Sequence, residues 1–382
     1  MEENKTTKPG LFEKGGKLGF LHSTVDAFET FLRVPATVTR KGAHIRDAID
    51  LKRVMIIVVI ALIPAMLFGM YNVGYQASLS AGLNWGFWEM FWFGFLKVIP
   101  LYIVAYIVGL GIEFASAQIR NEEVNEGYLV TGMLIPLIVP VDVPLWMLAV
   151  AVAFAVIFGK EVFGGTGMNI WNPALLTRAF LFFSYPSSMS GDTVWVSVPK
   201  GMDAVTAATP LAVTDPAGHH TVQALTDSGW SFWDLFNGLI PGSVGETSAI
   251  AILLGAVLLI WTGVASWKIM VSSVAGGLLI GWLGQLGGAT DLPCYYQLVM
   301  GGFLFGTVFM ATDPVTSAQT ECGKWIYGFF VGALAITVRL WNPGYAEGMM
   351  LAILLMNTFA PLIDHCVVTR HISRRNKKLK TA

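Results

Sequence analysis

VMIIVVIALIPAMLFGMY, residues 54–71, decides the fold: eighteen residues in a row without a charge. A helix needs about 20 apolar residues to cross the hydrocarbon core of a bilayer, fewer when it is short or re-entrant. Working outward from this stretch, the same criterion predicts further spans at 94–118, 127–140, 144–160, 173–186, 247–264, 267–287, 296–312, 324–340 and 347–366. The third to fifth are short, and Gly or Pro interrupts several. Half-helices tolerated only when packed inside protein have this character. The expected fold is an all-α integral membrane protein of about ten transmembrane helices, some short or broken.

Composition agrees. Of the 382 residues 54% are hydrophobic and 13% charged, against about 25% charged in a soluble globular domain. Gly (41) and Trp (13) are frequent, as in membrane helices and at their interfaces. The three cysteines, Cys294, Cys322 and Cys366, have no CxxC spacing. That argues against a metal or cluster site built by this chain alone and favours buried, inert thiols. No cleavable signal peptide is visible in the first 50 residues.

Charge sets the orientation. Ten basic residues from Lys5 to Arg53 precede the first span, and Arg370, Arg374, Arg375, Lys377, Lys378 and Lys380 follow the last. Both termini are therefore expected in the cytoplasm. The chain divides into a cytoplasmic tail (1–53), a five-helix membrane half (54–186), an outer-face loop (187–246), a second five-helix half (247–366) and a basic cytoplasmic tail (367–382). Five spans on each side of the loop suggest a 5+5 inverted repeat. Its sequence support is thin: Glu126-Gly127 is echoed by Glu347-Gly348 and Asn172-Pro173 by Asp313-Pro314, in swapped order.

The outer loop contains DAVTAAT, residues 203–209. Short side chains at 206–208 leave the Thr209 hydroxyl accessible, and Pro210 keeps Thr209 out of helical geometry. An enzyme that modifies a side chain needs such exposure, and Asp203 could hold the loop or a metal during transfer. The seven residues by themselves favour an ordinary Thr/Ala-rich loop. Charges at membrane depth are costly and commonly functional. Glu113 lies about two turns from the inner end of the second span, and Asp364 at the inner end of the last. Either could bind a hard cation with other oxygens, and Asp364 is equally an interfacial carboxylate beside a basic tail. Lys97 and Arg178 are each near enough to a span end to snorkel to the headgroups. FGGTGMNIWNP (163–173) and MATDP (310–314) fall on one side of the membrane. Asn169 and Asn172 there suit the polar edge of a planar ring or belong to a Gly-rich connection, and Asp313 could face the same cavity or simply cap a turn. No G-x-G-x-x-G or GK[ST] fingerprint occurs, and nothing suggests a nucleic-acid partner.

Several stretches together resemble one family. RDAIDLKR (46–53), EVNEG (123–127), KEVFGGTG (160–167), NIWNP (169–173), ATDPV (311–315) and EGMMLAIL (347–354) are similar to the B subunits of the sodium-translocating NADH:quinone oxidoreductases. The resemblance implies covalent FMN on Thr209, attached as a phosphoester by a flavin transferase within the motif that begins at Asp203. It implies non-covalent riboflavin at Asn169, Asn172 and Asp313. Quinone (ubiquinone or menaquinone) would dock near Val124, Glu126 and Gly127 and the aromatic Phe180 and Phe182, on the cytoplasmic side. Glu113 and Asp364 would serve sodium uptake, and no residue of this chain is expected to be a catalytic acid, base or nucleophile. The resemblance further implies a redox-driven sodium pump of six subunits in the bacterial inner membrane, with NADH oxidised in another subunit. Ala204 and Ala207 replace glycines common in the flavinylation motif, and Leu110 stands beside Gly109 where relatives can show a Gly-Gly pair. Two other readings remain: the D subunit of the related Rnf complex, which couples ferredoxin and NAD, and a secondary transporter without cofactors.

Overall fold

The computed structural model of the chain describes residues 42–43, 51–120, 127–192, 194–197, 207–214, 220–342 and 347–381. Among the described residues every regular element is helical. α1 (Leu51–Ala81) and α2 (Phe87–Arg120) form a long hairpin, followed by α3 (Tyr128–Ile138), α4 (Leu145–Gly159) and α5 (Pro173–Ser184). Two short helices, α6 (Val222–Asp227) and α7 (Phe232–Asn237), lead to α8 (Ala249–Trp261) and α9 (Trp267–Leu286). α10 (Tyr296–Val299) and α11 (Phe303–Phe305) precede a π turn at Gly306–Met310, and α12 (Glu321–Trp341) and α13 (Met349–Thr381) complete the chain.

Each expected span has a helical counterpart. Six helical segments are long and apolar enough to cross a membrane, while α3, α5 and α8 are shorter. The chain is a multi-pass membrane protein. Three boundaries differ from expectation. The eighth span is not continuous, because Gly301 adopts φ +60° and ends the helical path between α10 and α11. The tail after residue 366 is helical, since α13 runs on to Thr381 without a breaker. The 187–246 segment is more than a loop: Leu225 and Leu235 pack with Leu292, Tyr296 and Met300 into a small second core.

α2 illustrates how sequence sets the packing. Gly94, Val98, Leu101, Ala105, Gly109, Glu113 and Ala117 recur at three- and four-residue spacing and are buried. Trp88, Trp92, Leu96, Ile103 and Ile107 lie exposed on the other side, where lipid solvates them. Glu113 is therefore on the face turned into the bundle. Small residues let the second half pack tightly: Gly276 of α9 meets Phe329, and Gly328 and Gly332 of α12 meet Ile269 and Ser273.

The order of neighbours recurs at a five-span interval. α2 packs on α3 and α4, and α4 on α5; correspondingly α9 packs on α10 and α12, and α12 on α13. Across the halves α1 meets α8 and α5 meets α13. The broad α1–α2 contact has no counterpart of that extent between α8 and α9. The short sequence echoes do not follow this pattern, since Gly127 precedes the third span and Gly348 the tenth.

Candidate functional site

Two cavities open at opposite ends of the bundle. One is bordered by the first residue of α5, Pro173, and by Leu259 near the end of α8. The other is bordered by Phe182 near the end of α5 and by Glu246 and Thr247 just before α8. The first is called the near cavity, being at the end where α1 begins, and the second the far cavity.

Thr209 borders the far cavity. Its carbonyl accepts the Ala212 amide at 2.8 Å, so Thr209 and Pro210 begin a tight turn, and the Ala207 amide is anchored on the Asp192 carbonyl at 2.8 Å. The hydroxyl thus sits on a half-buried turn beside open space. Asp203 lies outside the described residues.

Behind Thr209 the floor of the cavity is ionic. Arg178 of α5 donates from Nη1 to Glu246 at 2.7 Å and from Nη2 to Glu347. All three side chains are at most 14% exposed. Arg178 does not snorkel. α5 directs it across the bundle, because two carboxylates from the second half supply the counter-charge that headgroups would otherwise give. Lys97 does reach an end of the bundle, pairing with half-exposed Asp142 at 2.9 Å. Ser243 donates to the other oxygen of Glu246. Burial, opposed by Arg178 and helped by the Glu347 charge, raises the Glu246 carboxyl above its ordinary value.

The break in the eighth span belongs to this floor. A side chain at Gly302 would collide with the carboxylates of Glu246 and Glu347, so only glycine lets them approach the backbone. Carbonyls freed by the break need partners at this depth. Arg339 supplies them, donating to Gln297 O and, at 3.1 Å, to Met300 O.

The near cavity gathers Asn169, Asn172, Asp313 and Gly127. Asn172 Oδ1 caps α5, accepting from Ala174 N at 3.0 Å, while its Nδ2 donates to Asp313 Oδ2 at 3.5 Å. Asp313 also accepts from Val315 N at 3.1 Å and Thr316 Oγ1 at 3.0 Å. It caps its turn and borders the cavity at once. Burial pushes its carboxyl up against those two hydrogen bonds. The strap from α4 to α5 reaches this position through Gly164, Gly165 and Gly167, all at positive φ. Thr166 of the strap lies against Gly127, where a Cβ would meet it at 2.5 Å.

The proposed quinone residues do not form one site. Gly127 is at the near cavity and Phe182 at the far one, because α5 rises about 18 Å over its length. Phe180 lies between, stacked on Phe154 with centroids 4.7 Å apart. Val124 and Glu126 lie outside the described residues.

The two acidic residues read as cation ligands have different surroundings. Glu113 is buried and pairs through Oε1 with Lys160 at the end of α4, while its Oε2 has no partner among the described residues. Asp364 accepts from Gln319 N at 2.7 Å, Thr320 N at 3.0 Å and Thr320 Oγ1 at 2.5 Å. It clamps the entry to α12. Among the described residues no cluster of metal-ligating side chains occurs. Contrary to expectation the cysteines are not buried: Cys322 and Cys366 are exposed and Cys294 is intermediate.

Sequence reasoning missed Glu246, Lys160 and the roles of Arg178 and Glu347. The available signal was the presence of Arg178 and Lys160 in apolar surroundings.

The model of the NQR2, RnfD, RnfE family matches residues 38–373. The chain belongs to this family. It is 45% identical to the B subunit of the Na(+)-translocating NADH-quinone reductase of Pseudomonas aeruginosa, over 95% of its own length and 96% of the relative's. The proteins of the same name from Chromohalobacter salexigens and Azotobacter vinelandii are each 44% identical, covering 94% and 96% of those relatives.

Proposed function

We propose that this chain is the B subunit of a sodium-translocating NADH–quinone reductase in the bacterial inner membrane, with its near end facing the cytoplasm. The other subunits of a six-subunit complex are its partners, and one of them oxidises NADH. In this reading Thr209 carries FMN as a phosphoester at the far end, and riboflavin occupies the near cavity.

The observation that carries the proposal is the pairing of two cavities with two residue sets. Thr209 borders one, and Asn169, Asn172 and Asp313 border the other. The near cavity suits a flavin ring: two amides and a carboxyl border it, and Val54, Val58, Leu134 and Phe309 provide apolar walls. The far cavity offers a hydroxyl at its rim and a fixed guanidinium at its floor.

A bound flavin supplies electron transfer, and the protein supplies position and electrostatics. Asn172 and Asp313, held by each other and by the backbone, orient the polar edge of a ring. Pro210 and the turn at 209–212 hold the Thr209 oxygen at the cavity mouth. Arg178 keeps one positive charge beneath it, balanced by Glu246 and Glu347. Sodium is the cation moved and quinone the electron acceptor. Of the two acidic candidates Asp364 already holds three donors, and Glu113, paired with Lys160 through Oε1, keeps Oε2 without a partner among the described residues. Gly127 remains the near-end quinone candidate.

Peptide mass spectrometry of the purified complex tests the site. An added mass of FMN less one water is expected on the peptide containing Thr209, absent in Thr209→Ala. An unmodified threonine, from cells containing the flavin transferase, would overturn the assignment and favour a transporter without cofactors. The family also contains subunits of Rnf complexes. NADH-driven quinone reduction by the purified complex separates the two, and the names of the full-length relatives favour the quinone reductase.

A further inference from the structure

Among the described residues, Lys160 is the one charged group bordering the near cavity that neither the capping of α5 nor the turn at Asp313 explains. It ends α4, begins the glycine strap, and is 3% exposed. Its ammonium pairs with Glu113, and the residue borders the same cavity as Asn169, Asn172 and Asp313. An ammonium has three donors, and Glu113 is the only acceptor that the described residues give it. Glu113 does not itself border the cavity; it stands behind the lysine and holds it.

A buried lysine with donors to spare selects what can share the space. A cation placed in the cavity would meet like charge. A purely apolar molecule would leave the remaining donors unsatisfied, at a cost comparable to a lost hydrogen bond each. A flat heteroaromatic ring with carbonyl oxygens and ring nitrogens on one edge satisfies them, and the amides of Asn169 and Asn172 can meet the same edge. We infer that Lys160 is a further binding residue of the near cavity, donating from its ammonium to the acceptor edge of the ring, with Glu113 as its positioning residue. The inference rests on the reading that riboflavin occupies this cavity.

The experiment measures riboflavin retained per FMN in the purified complex, by extraction and chromatography, for Lys160→Met, Lys160→Arg, Lys160→Met/Glu113→Gln and Asn169→Ala. A charge-assisted hydrogen bond is worth enough to lower retention about tenfold when lost. Lys160→Met is expected to show that loss and Lys160→Arg to recover part of it. Lys160→Met also strands the Glu113 carboxylate, so the double variant is decisive: removing both charges should restore thermal stability and leave riboflavin low. Riboflavin at the parental level in the double variant would overturn the inference and leave Lys160 a purely structural partner of Glu113. If Asn169→Ala also keeps the parental level, the ring does not lie in this cavity and the underlying reading fails as well.

Discussion

Replacing Arg178 tests whether the far cavity is held together by charge. The guanidinium bridges two carboxylates, 2.7 Å from Glu246 and in contact with Glu347, and all three side chains are nearly dry. Arg178→Met leaves two neighbouring buried carboxylates with no counter-ion between them. Breaking a buried pair in this way costs about 3–5 kcal/mol, and part of it can be recovered if one carboxyl takes up a proton. Arg178→Lys should fall between, since a single ammonium cannot span both carboxylates as the planar fork does. Thermal unfolding of the detergent-purified complex, read by the loss of monodisperse protein after heating, gives the ranking. FMN on Thr209, read by in-gel fluorescence, reports the cavity itself. Arg178→Met should melt several degrees lower and lose most of its fluorescence. Arg178→Met/Glu246→Gln/Glu347→Gln should recover much of the stability, because no charge is then stranded. A variant with methionine at 178 that melts with the parent and keeps full fluorescence would refute the argument and restore the headgroup-facing reading.

Three further outcomes follow from single contacts. Gly109→Ala would push a methyl into the ring of Tyr128, whose hydroxyl is fixed on Ala105 O at 2.8 Å; overpacking costs about 1–3 kcal/mol. Tyr128→Leu in the same protein should relieve it, and a stable, unperturbed Gly109→Ala would contradict the geometry. Asp364→Asn should lower the melting temperature, because one carboxamide oxygen must serve the three donors of the clamp, while the sodium concentration for half-maximal activity stays put. A raised sodium requirement without loss of stability would instead make Asp364 a cation ligand. Glu246 bears on pH. Burial raises its folded value above the ordinary carboxyl value of 4.5, so above that pH the folded state binds more protons than the unfolded state. Stability contributed by this group is therefore full below about pH 4.5 and declines as pH rises above it. Glu246→Gln should flatten that decline in thermal melts, and an unchanged pH profile would count against the burial argument.

The spans were legible because the bilayer imposes one rule on every segment, and runs such as 54–71 obey it without help from partners. Their interruptions were less so. Gly301 and Gly302 look like two more glycines among many, and only the structure shows that Gly301 turns the chain at φ +60° and that Gly302 leaves room for the carboxylates of Glu246 and Glu347. The candidate residues divide in the same way. Asn169, Asn172 and Asp313 announced themselves as amides and a carboxyl in apolar surroundings, and they converge on one cavity. Phe180 and Phe182 were grouped with Gly127 by the family resemblance, and the rise of α5 carries them away from it. Arg178 was misjudged because distance to a span end is visible in sequence, whereas a partner 68 or 169 residues away is not.

The two buried ionic clusters also differ in what they connect. Glu113 and Lys160 both belong to the first five spans, so that pair moves as part of one half. Arg178 comes from the first half, and its partners Glu246 and Glu347 immediately precede α8 and α13 of the second. Any rearrangement that shifts one half against the other must therefore stretch the Arg178 contacts while leaving Lys160 on Glu113. The ionic floor under Thr209 is thus the more exposed of the two to such motion. The clamp of Asp364 on 319–320 lies within the second half and should be as insensitive as the Lys160 pair. A chemical cross-link introduced between α5 and the segment before α13 should then block turnover if the halves move, and one placed between α2 and the end of α4 should not. Equal inhibition by both, or by neither, would show that transport does not depend on motion between the halves.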